Sequence, residues 1–301
     1  MGSHLTKSLL RKKHKIKILT KSLAKEKNIY QIRNKIQIEQ INISNFKKLG
    51  TAIKNFKPEL IIHLAGNTSH SKSFEKPFDD IDTNSKSTLF ILETIRKLNL
   101  KCKFVLGSTF IVIGRPKRLP VNEETPCNPT TIYGVNRLSS EYFCKIYNQV
   151  FGLDTNIFRI TNSYGPNEQI IPKKNAVNFL IYQAFKKGKI NIYNDGKIFR
   201  DFIFIDDVIT GINTILRKGK SGELYWISSG HKILFKNFAK ILKKHTNCEI
   251  SYPSTPDYTK KVDVGNFFVD NSKLKFLGWD PEVSLELGIQ KTLKYFETEK
   301  L

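Results

Sequence analysis

The distribution of apolar residues predicts an α/β fold with a buried parallel sheet. Two apolar runs, ELIIHLAG at residues 59–66 and KFVLGST at residues 103–109, end in small or hydroxylated residues, as strands covered on both faces do. Helical patterns alternate with them. Ile81, Leu89, Ile91, Leu92 and Ile95 mark one amphipathic stretch, and Tyr133, Arg137, Leu138, Glu141, Tyr142 and Lys145 mark another, since positions three or four apart share a helix face. Open α/β sheets bind ligands beyond their strand ends, so residues 108–137 are the stretch around which a site is expected.

The elements follow in order. Leu5 and Leu9, with basic residues after them, predict a short helix over residues 3–13, and Ile16, Ile18 and Leu19 a strand. Ile36 and Ile38 alternate with polar residues, and Ile41 and Ile43 do so in the opposite phase, so a further strand ends or bulges near Glu39 and Gln40. Residues 59–66 form the next strand, residues 80–98 a helix and residues 133–151 a long helix, and residues 154–160 return as a strand. Residues 161–166 read as a loop with Gly-Pro punctuation. Beyond them a helix is expected over 175–187 and a short strand over 190–193, ended by Asn194, Asp195 and Gly196. Residues 199–208 alternate as a strand that runs into a helix capped by Asp206 or Asp207, and residues 285–296 form a last helix.

Composition narrows the function. With 301 residues, 40% hydrophobic and 11% aromatic, the chain can bury a substantial core in one or two lobes. Fifty basic against 27 acidic residues give a formal charge of +23. The lysines are spread along the whole chain without a nucleic-acid-binding motif, so an anionic phosphate ligand, and no nucleic acid, is the expected partner. The four cysteines lack metal-ligand spacing and His63 and His70 have no cysteine partner in sequence, so no metal site is expected and reduced thiols fit a cytoplasmic location. No apolar run reaches the ~20 residues of a membrane span, and the N-terminus carries no signal-peptide core.

Ser108 and Thr109, the aliphatic stretch closed by Gly114, then Pro120, Glu123, Glu124, Pro129, Tyr133, Gly134 and the basic residue 137 resemble the extended short-chain dehydrogenase/reductase family, and within it the nucleotide-sugar epimerases and dehydratases of the UDP-glucose 4-epimerase type. The resemblance extends over nearly the whole chain. It includes HLAG at 63–66, Arg159 with Asn162, Tyr164, Gly165 and Pro166, the run FRDFIFIDDV at 199–208, and the closing segments around 228–230, 269–270 and 277–281. It implies a Rossmann-like doubly wound parallel sheet with a smaller C-terminal α/β substrate lobe. Residues 1–165 would be the dinucleotide-binding domain, and residues 166–301 the nucleotide-sugar-binding lobe, partly interleaved with the first. Gly2 with Ser3, His4 and Leu5 looks like the tail of the family's glycine fingerprint, which implies a truncated start with the first strand and glycine loop missing. Gly-Ser-His is also a common cloning remnant.

The resemblance also assigns roles. The catalytic residues would be Thr109, Tyr133 and Arg137. Ala65 and Gly66 would let a cofactor approach the backbone, with Gly2, Tyr133 and Arg137 completing the cofactor set. The substrate residues would be Ser108, Thr109, Asn162, Tyr193 and Arg200, the last as a planar fork for a diphosphate. NAD is the implied cofactor. Thr20 and Lys21 stand where the family places its ribose-binding carboxylate, which leaves NADP open. A phenol at its ordinary pKa near ~10 is a poor base, and a neighbouring cation favours its ionised form. Tyr133 and Arg137 are four residues apart and so can serve that purpose. The family uses lysine where this chain has Arg137, and Arg is not a conservative replacement. The implied reaction is NAD(P)-dependent 4-epimerisation of a nucleotide-diphosphate sugar through a transient keto-sugar, in surface polysaccharide synthesis. A keto-sugar reductase or a catalytically impaired nucleotide-sugar-binding homologue are the alternatives. Dehydration needs acid/base carboxylates after Thr109, where the chain has Phe110 and Ile111. A homodimer is expected by the same resemblance.

Overall fold

The computed structural model describes residues 1–23, 26–170 and 176–299. They divide into two compact units: residues 1–108, 131–158 and 216–224 form one, and residues 109–130, 159–215 and 225–301 the other.

The first unit opens with α1 (Gly2–Arg11), followed by β1 (Lys17–Thr20) and β2 (Gln37–Gln40), a parallel pair in which Ile18 faces Ile38. Helix α2 (Phe46–Phe56) is capped by Asn45, whose side chain accepts the Lys48 amide, and leads to β3 (Leu60–His63). Short helices α3 (His70–Glu75) and α4 (Pro77–Asp80) precede a π turn (Ile81–Lys86) and α5 (Ser87–Lys97). Strand β4 (Lys103–Thr109), helix α6 (Ile132–Phe151) and β5 (Thr155–Ile160) follow. Phe104, Val105 and Leu106 of β4 are fully buried, as are Leu92 and Ile95 of α5, and apolar burial of this kind holds helices against a sheet.

The second unit contains β6 (Asn162–Tyr164), α7 (Ala176–Lys187), β7 (Lys189–Asn191), β8 (Phe199–Arg200), β9 (Phe202–Phe204) and α8 (Ile205–Lys218), the last running on into the first unit. Then come β10 (Leu224–Ile227), β11 (Ile233–Leu234), α9 (Phe235–Thr246), β12 (Glu249–Ser251), α10 (Asp257–Val262), α11 (Ser272–Phe276) and α12 (Leu285–Thr298). Its core gathers Phe204, Ile212, Trp226, Phe238, Phe267 and Phe296.

The main sheet has the order β10-β5-β4-β3 and is parallel; β3 and β4 are in register at His63 and Leu106. The pair β1–β2 is a separate two-stranded sheet among the described residues, as are β6–β9, β7–β12 and β8–β11. The α/β, Rossmann-like expectation holds, and three local expectations change. Residues 162–164 are a strand and not a loop, because β9 supplies a parallel partner some 40 residues away. The single helix over 80–98 is broken into α4, the π turn and α5, since a five-residue hydrogen-bond step is invisible to a 3.6-residue pattern. The Asp207 carboxylate accepts the amides of Glu282 and Val283, at 3.0 Å each, and so anchors the segment before α12. Residues 109–130 and 159–165, placed by sequence in the N-terminal domain, cluster with the second unit. No helix is long and apolar enough to cross a membrane among the described residues.

Candidate active site

In the first unit the residues of interest converge on the start of α6 and the end of β3. Thr131 caps α6, its hydroxyl accepting the Gly134 amide at 3.0 Å, and this fixes Tyr133 in the first turn. Tyr133 is 7% exposed and Arg137 4%; their four-residue spacing puts them on one face. The Tyr133 ring meets the His70 ring edge-on, with centroids 5.5 Å apart. A Cβ on Gly66 would stand 3.5 Å from Arg137 Nη1 and 2.2 Å from Asn84 Oδ1, so the strand exit at Ala65 and Gly66 is packed against the same helix.

Three further groups define the local chemistry. Burial and, secondarily, the Arg137 charge hold His63 at about 3, so its ring is neutral at physiological pH and shares a 3.2 Å hydrogen bond with the Ser87 hydroxyl. It is a core histidine. Ser108 is buried and donates its hydroxyl to Glu141 of α6 at 2.5 Å, which ties the end of β4 to the tyrosine helix. Burial pushes the Cys144 thiol up, with Glu141 adding to the shift and Arg137 opposing it, so this thiol stays protonated.

In the second unit, Thr109 Oγ1 accepts the Ile111 amide at 3.3 Å and caps a short 3-10 turn over Phe110–Ile113. Phe110 packs on the Phe267 ring, with centroids 5.1 Å apart, and Ile111 is buried. Asn162 donates its side-chain amide to the Asp201 carbonyl at 3.1 Å. The Asp201 carboxylate is buried and accepts from the Thr161 and Ser229 hydroxyls and from the Ser229 and Gly230 amides; burial raises its pKa and these four bonds oppose the rise. Arg200 is 6% exposed. Its guanidinium donates to the Asp263 carboxylate at 2.6 Å, to the Phe199 carbonyl at 3.1 Å and to the Gly265 carbonyl. Arg115 fastens the same segment through the Lys260, Lys261 and Asp263 carbonyls. Tyr193 is exposed.

The predicted cofactor and phenol residues Ala65, Gly66, Tyr133 and Arg137 thus share one unit with Gly2, which is exposed at the start of α1. Thr109, Asn162, Tyr193 and Arg200 belong to the other. Sequence reading passed over Asp80, whose carboxylate accepts the side-chain amides of Asn67, Asn84 and Asn136 at 2.6, 3.0 and 2.8 Å. The four-residue spacing of Asp80 and Asn84, and the place of Asn136 between Tyr133 and Arg137, were the available signals. It also passed over Asp263, six residues beyond Asp257 in a lysine-rich stretch.

Comparisons with known proteins identify the family. The family model described as GDP-mannose 4,6 dehydratase matches residues 1–292. The UDP-glucuronate 4-epimerase of Thermodesulfobacterium geofontis is 30% identical over 263 residues, 85% of this chain and 78% of that protein. The crystal structure of Thermotoga maritima UDP-glucose 4-epimerase with UDP-glucose superposes with a TM-score of 0.91 at 26% identity, covering 100% of this chain and 96% of the other. A Bacillus cereus UDP-glucuronic acid 4-epimerase, in complex with UDP-glucuronic acid and NAD, gives 0.86 at 26% identity over 99% and 96%. From the Tyr133 helix, the strand-end glycine and these matches along the whole chain, the protein belongs to the epimerase/dehydratase family of extended short-chain dehydrogenases/reductases, a family of nucleotide-sugar enzymes.

Proposed function

We propose that this chain is an NAD-dependent 4-epimerase of a nucleotide-diphosphate sugar, acting in the cytoplasm in the synthesis of surface polysaccharide. The observation that carries this reading is the buried Tyr133–Arg137 pair on one face of α6, combined with apolar side chains at 110 and 111. A phenol beside a cation can move one proton on and off a carbinol. With Phe110 against Phe267 and Ile111 buried, no ionisable side chain follows Thr109 to remove the second proton that dehydration requires. Epimerisation needs only the first.

NAD fits the residues present. Gly2 is exposed at the N-terminus of α1, which has no acidic residue in its first turn and so is compatible with an anion. Gly66 is exposed at the end of β3, where the backbone can be approached closely. Gly2, Ala65, Gly66, Tyr133 and Arg137 would hold the cofactor, which when bound supplies reversible two-electron chemistry at the sugar carbon. Tyr133 takes the proton of the sugar hydroxyl and later returns it. Thr109 holds the reacting oxygen through its hydroxyl. Asn162 and Arg200 are the proposed ligands of the diphosphate and Tyr193 of the base. Arg200 must exchange Asp263 for phosphate oxygens as it does so. Ser108 supports the site through Glu141, its hydroxyl being already committed.

The same reading includes a homodimer. Val135, Tyr142, Ile146 and Val150 are exposed along α6 at helical spacing, an apolar stripe that a second copy would cover. A monomer in sedimentation equilibrium at micromolar concentration overturns that part. Arg137 in the lysine position favours a second reading, nucleotide-sugar binding without turnover. Interconversion of UDP-glucose and UDP-galactose by the purified protein with NAD separates the two. Wild type should turn over, and Tyr133→Phe should lose about 10²–10⁴-fold in kcat, the range of general acid–base catalysis, with sugar affinity within about twofold. Equal turnover by wild type and Tyr133→Phe refutes the proposed role of the phenol.

A further inference from the structure

Asp80 is 1% exposed, and no lysine or arginine pairs with it among the described residues. Burying a carboxylate without a cation costs several kcal/mol before hydrogen bonds offset it, and an apolar or neutral side chain of similar volume is commonly the more stable choice. Its surroundings are correspondingly specific. Oδ1 accepts the Asn67 amide at 2.6 Å and the Asn84 amide at 3.0 Å; Oδ2 accepts the Asn136 amide at 2.8 Å.

Each donor sits on a different segment of the first unit. Asn67 directly follows Gly66 at the strand exit. Asn84 lies in the π turn that begins immediately after Asp80. It is fully buried, its Nδ2 also donates to the Asn67 carbonyl at 3.1 Å, and its Oδ1 stands over Gly66. Asn136 occupies the turn between Tyr133 and Arg137. A second layer repeats the connection: the Ser140 hydroxyl donates to the Asn84 and Asn136 carbonyls, and the Ser85 hydroxyl to the Asn136 carbonyl. Single-turn π segments recur at functional sites, and this one joins the strand exit to the phenol helix.

We propose that Asp80 is a positioning residue: by gathering three amides at one carboxylate it sets the first turn of α6, and with it Tyr133 and Arg137, against the Gly66 strand exit. This rests on the proposed role of Tyr133. A misplacement of about 1 Å can cost about 100-fold in rate, whereas binding of the sugar depends on other residues.

The separate duties of the two oxygens provide the test. Asp80→Asn keeps an oxygen for Asn67 and Asn84 but sets an amide donor against the Asn136 amide. Asn136→Asp sets two carboxylates face to face. The double variant Asp80→Asn/Asn136→Asp turns the strut round and again pairs a donor with an acceptor. Each single variant should lose about 100-fold in kcat with KM for UDP-glucose within about threefold. Each should also show faster amide exchange over residues 131–140 and weaker NAD binding by calorimetry. The double variant should recover most of all three. If Asp80→Asn does not fold, Asn136→Ala, which deletes only the strut to α6, takes its place and should show the same split. A double variant as impaired as the singles, or kcat losses that merely follow the folded fraction, overturns the proposal. Amide exchange and NAD binding are read without turnover. A wild type that binds NAD but does not epimerise therefore refutes the proposed reaction, while those two measurements still decide the role of Asp80.

Discussion

Replacing Gly66 by alanine tests how tightly the strand exit is built. The new Cβ would lie 2.2 Å from Asn84 Oδ1, and ordinary contact begins near 3.4 Å, so the oxygen must retreat by roughly 1.2 Å. It has little freedom to do so. Asn84 is fully buried, and its Nδ2 is held at 3.1 Å by the Asn67 carbonyl and at 3.0 Å by Asp80. Overpacking of this kind costs about 1–3 kcal/mol, and loosening the two hydrogen bonds adds about 0.5 kcal/mol each. Gly66→Ala is therefore expected to destabilise the protein by about 2–4 kcal/mol in urea denaturation followed by far-UV circular dichroism. Asn84→Ala removes the obstacle, so in the double variant Gly66→Ala should cost less than about 1 kcal/mol, a coupling typical of touching side chains. A cost below about 0.5 kcal/mol for Gly66→Ala in the wild-type background, within the range of an ordinary surface change, would refute the packing argument, and strict additivity in the double variant would refute the assignment to Asn84.

Two further outcomes follow from the geometry. Arg137→Lys replaces a planar, delocalised cation by a compact one beside Tyr133 and is expected to raise epimerase kcat by about tenfold, a change of ~1.4 kcal/mol in the barrier; unchanged or lower turnover in a folded variant contradicts it. Glu93 is held at about 2, below the ordinary 4.5, chiefly by hydrogen bonds from Arg96 and from the Tyr147 hydroxyl. A carboxylate with a lowered folded-state pKa contributes stability that is present above pH 4.5 and lost as pH falls towards 2. The melting temperature of Glu93→Gln should lie below that of the wild type at pH 6 and meet it near pH 2; a constant gap across that range shows that the charge is not responsible.

Much of the fold and part of the site were legible because they depend on patterns local to the chain. The apolar runs at 59–66 and 103–109 became β3 and β4, and the four-residue spacing of Tyr133 and Arg137 became a shared buried face on α6. The residues that hold these pieces together were not legible. Asp80 reaches Asn136 across 56 positions, Ser108 reaches Glu141 across 33, and Arg200 reaches Asp263 across 63. Periodicity reports which face is buried and says nothing about which polar group will meet another there. Arg200 illustrates the difference: its sequence context suggested an arginine waiting for phosphate, and the folded unit gives it a carboxylate.

The sequence by itself determined the α/β class and the order of the principal strands and helices, because hydrophobic spacing and short motifs act over a few residues. Tertiary structure alone decided that β1 and β2 form their own sheet, that Asn162–Tyr164 is a strand, and that a buried carboxylate at Asp80 gathers three amides beneath the tyrosine helix. Those outcomes depend on hydrogen bonds between distant segments, whose partners exist only once the chain has brought them within about 3 Å of each other.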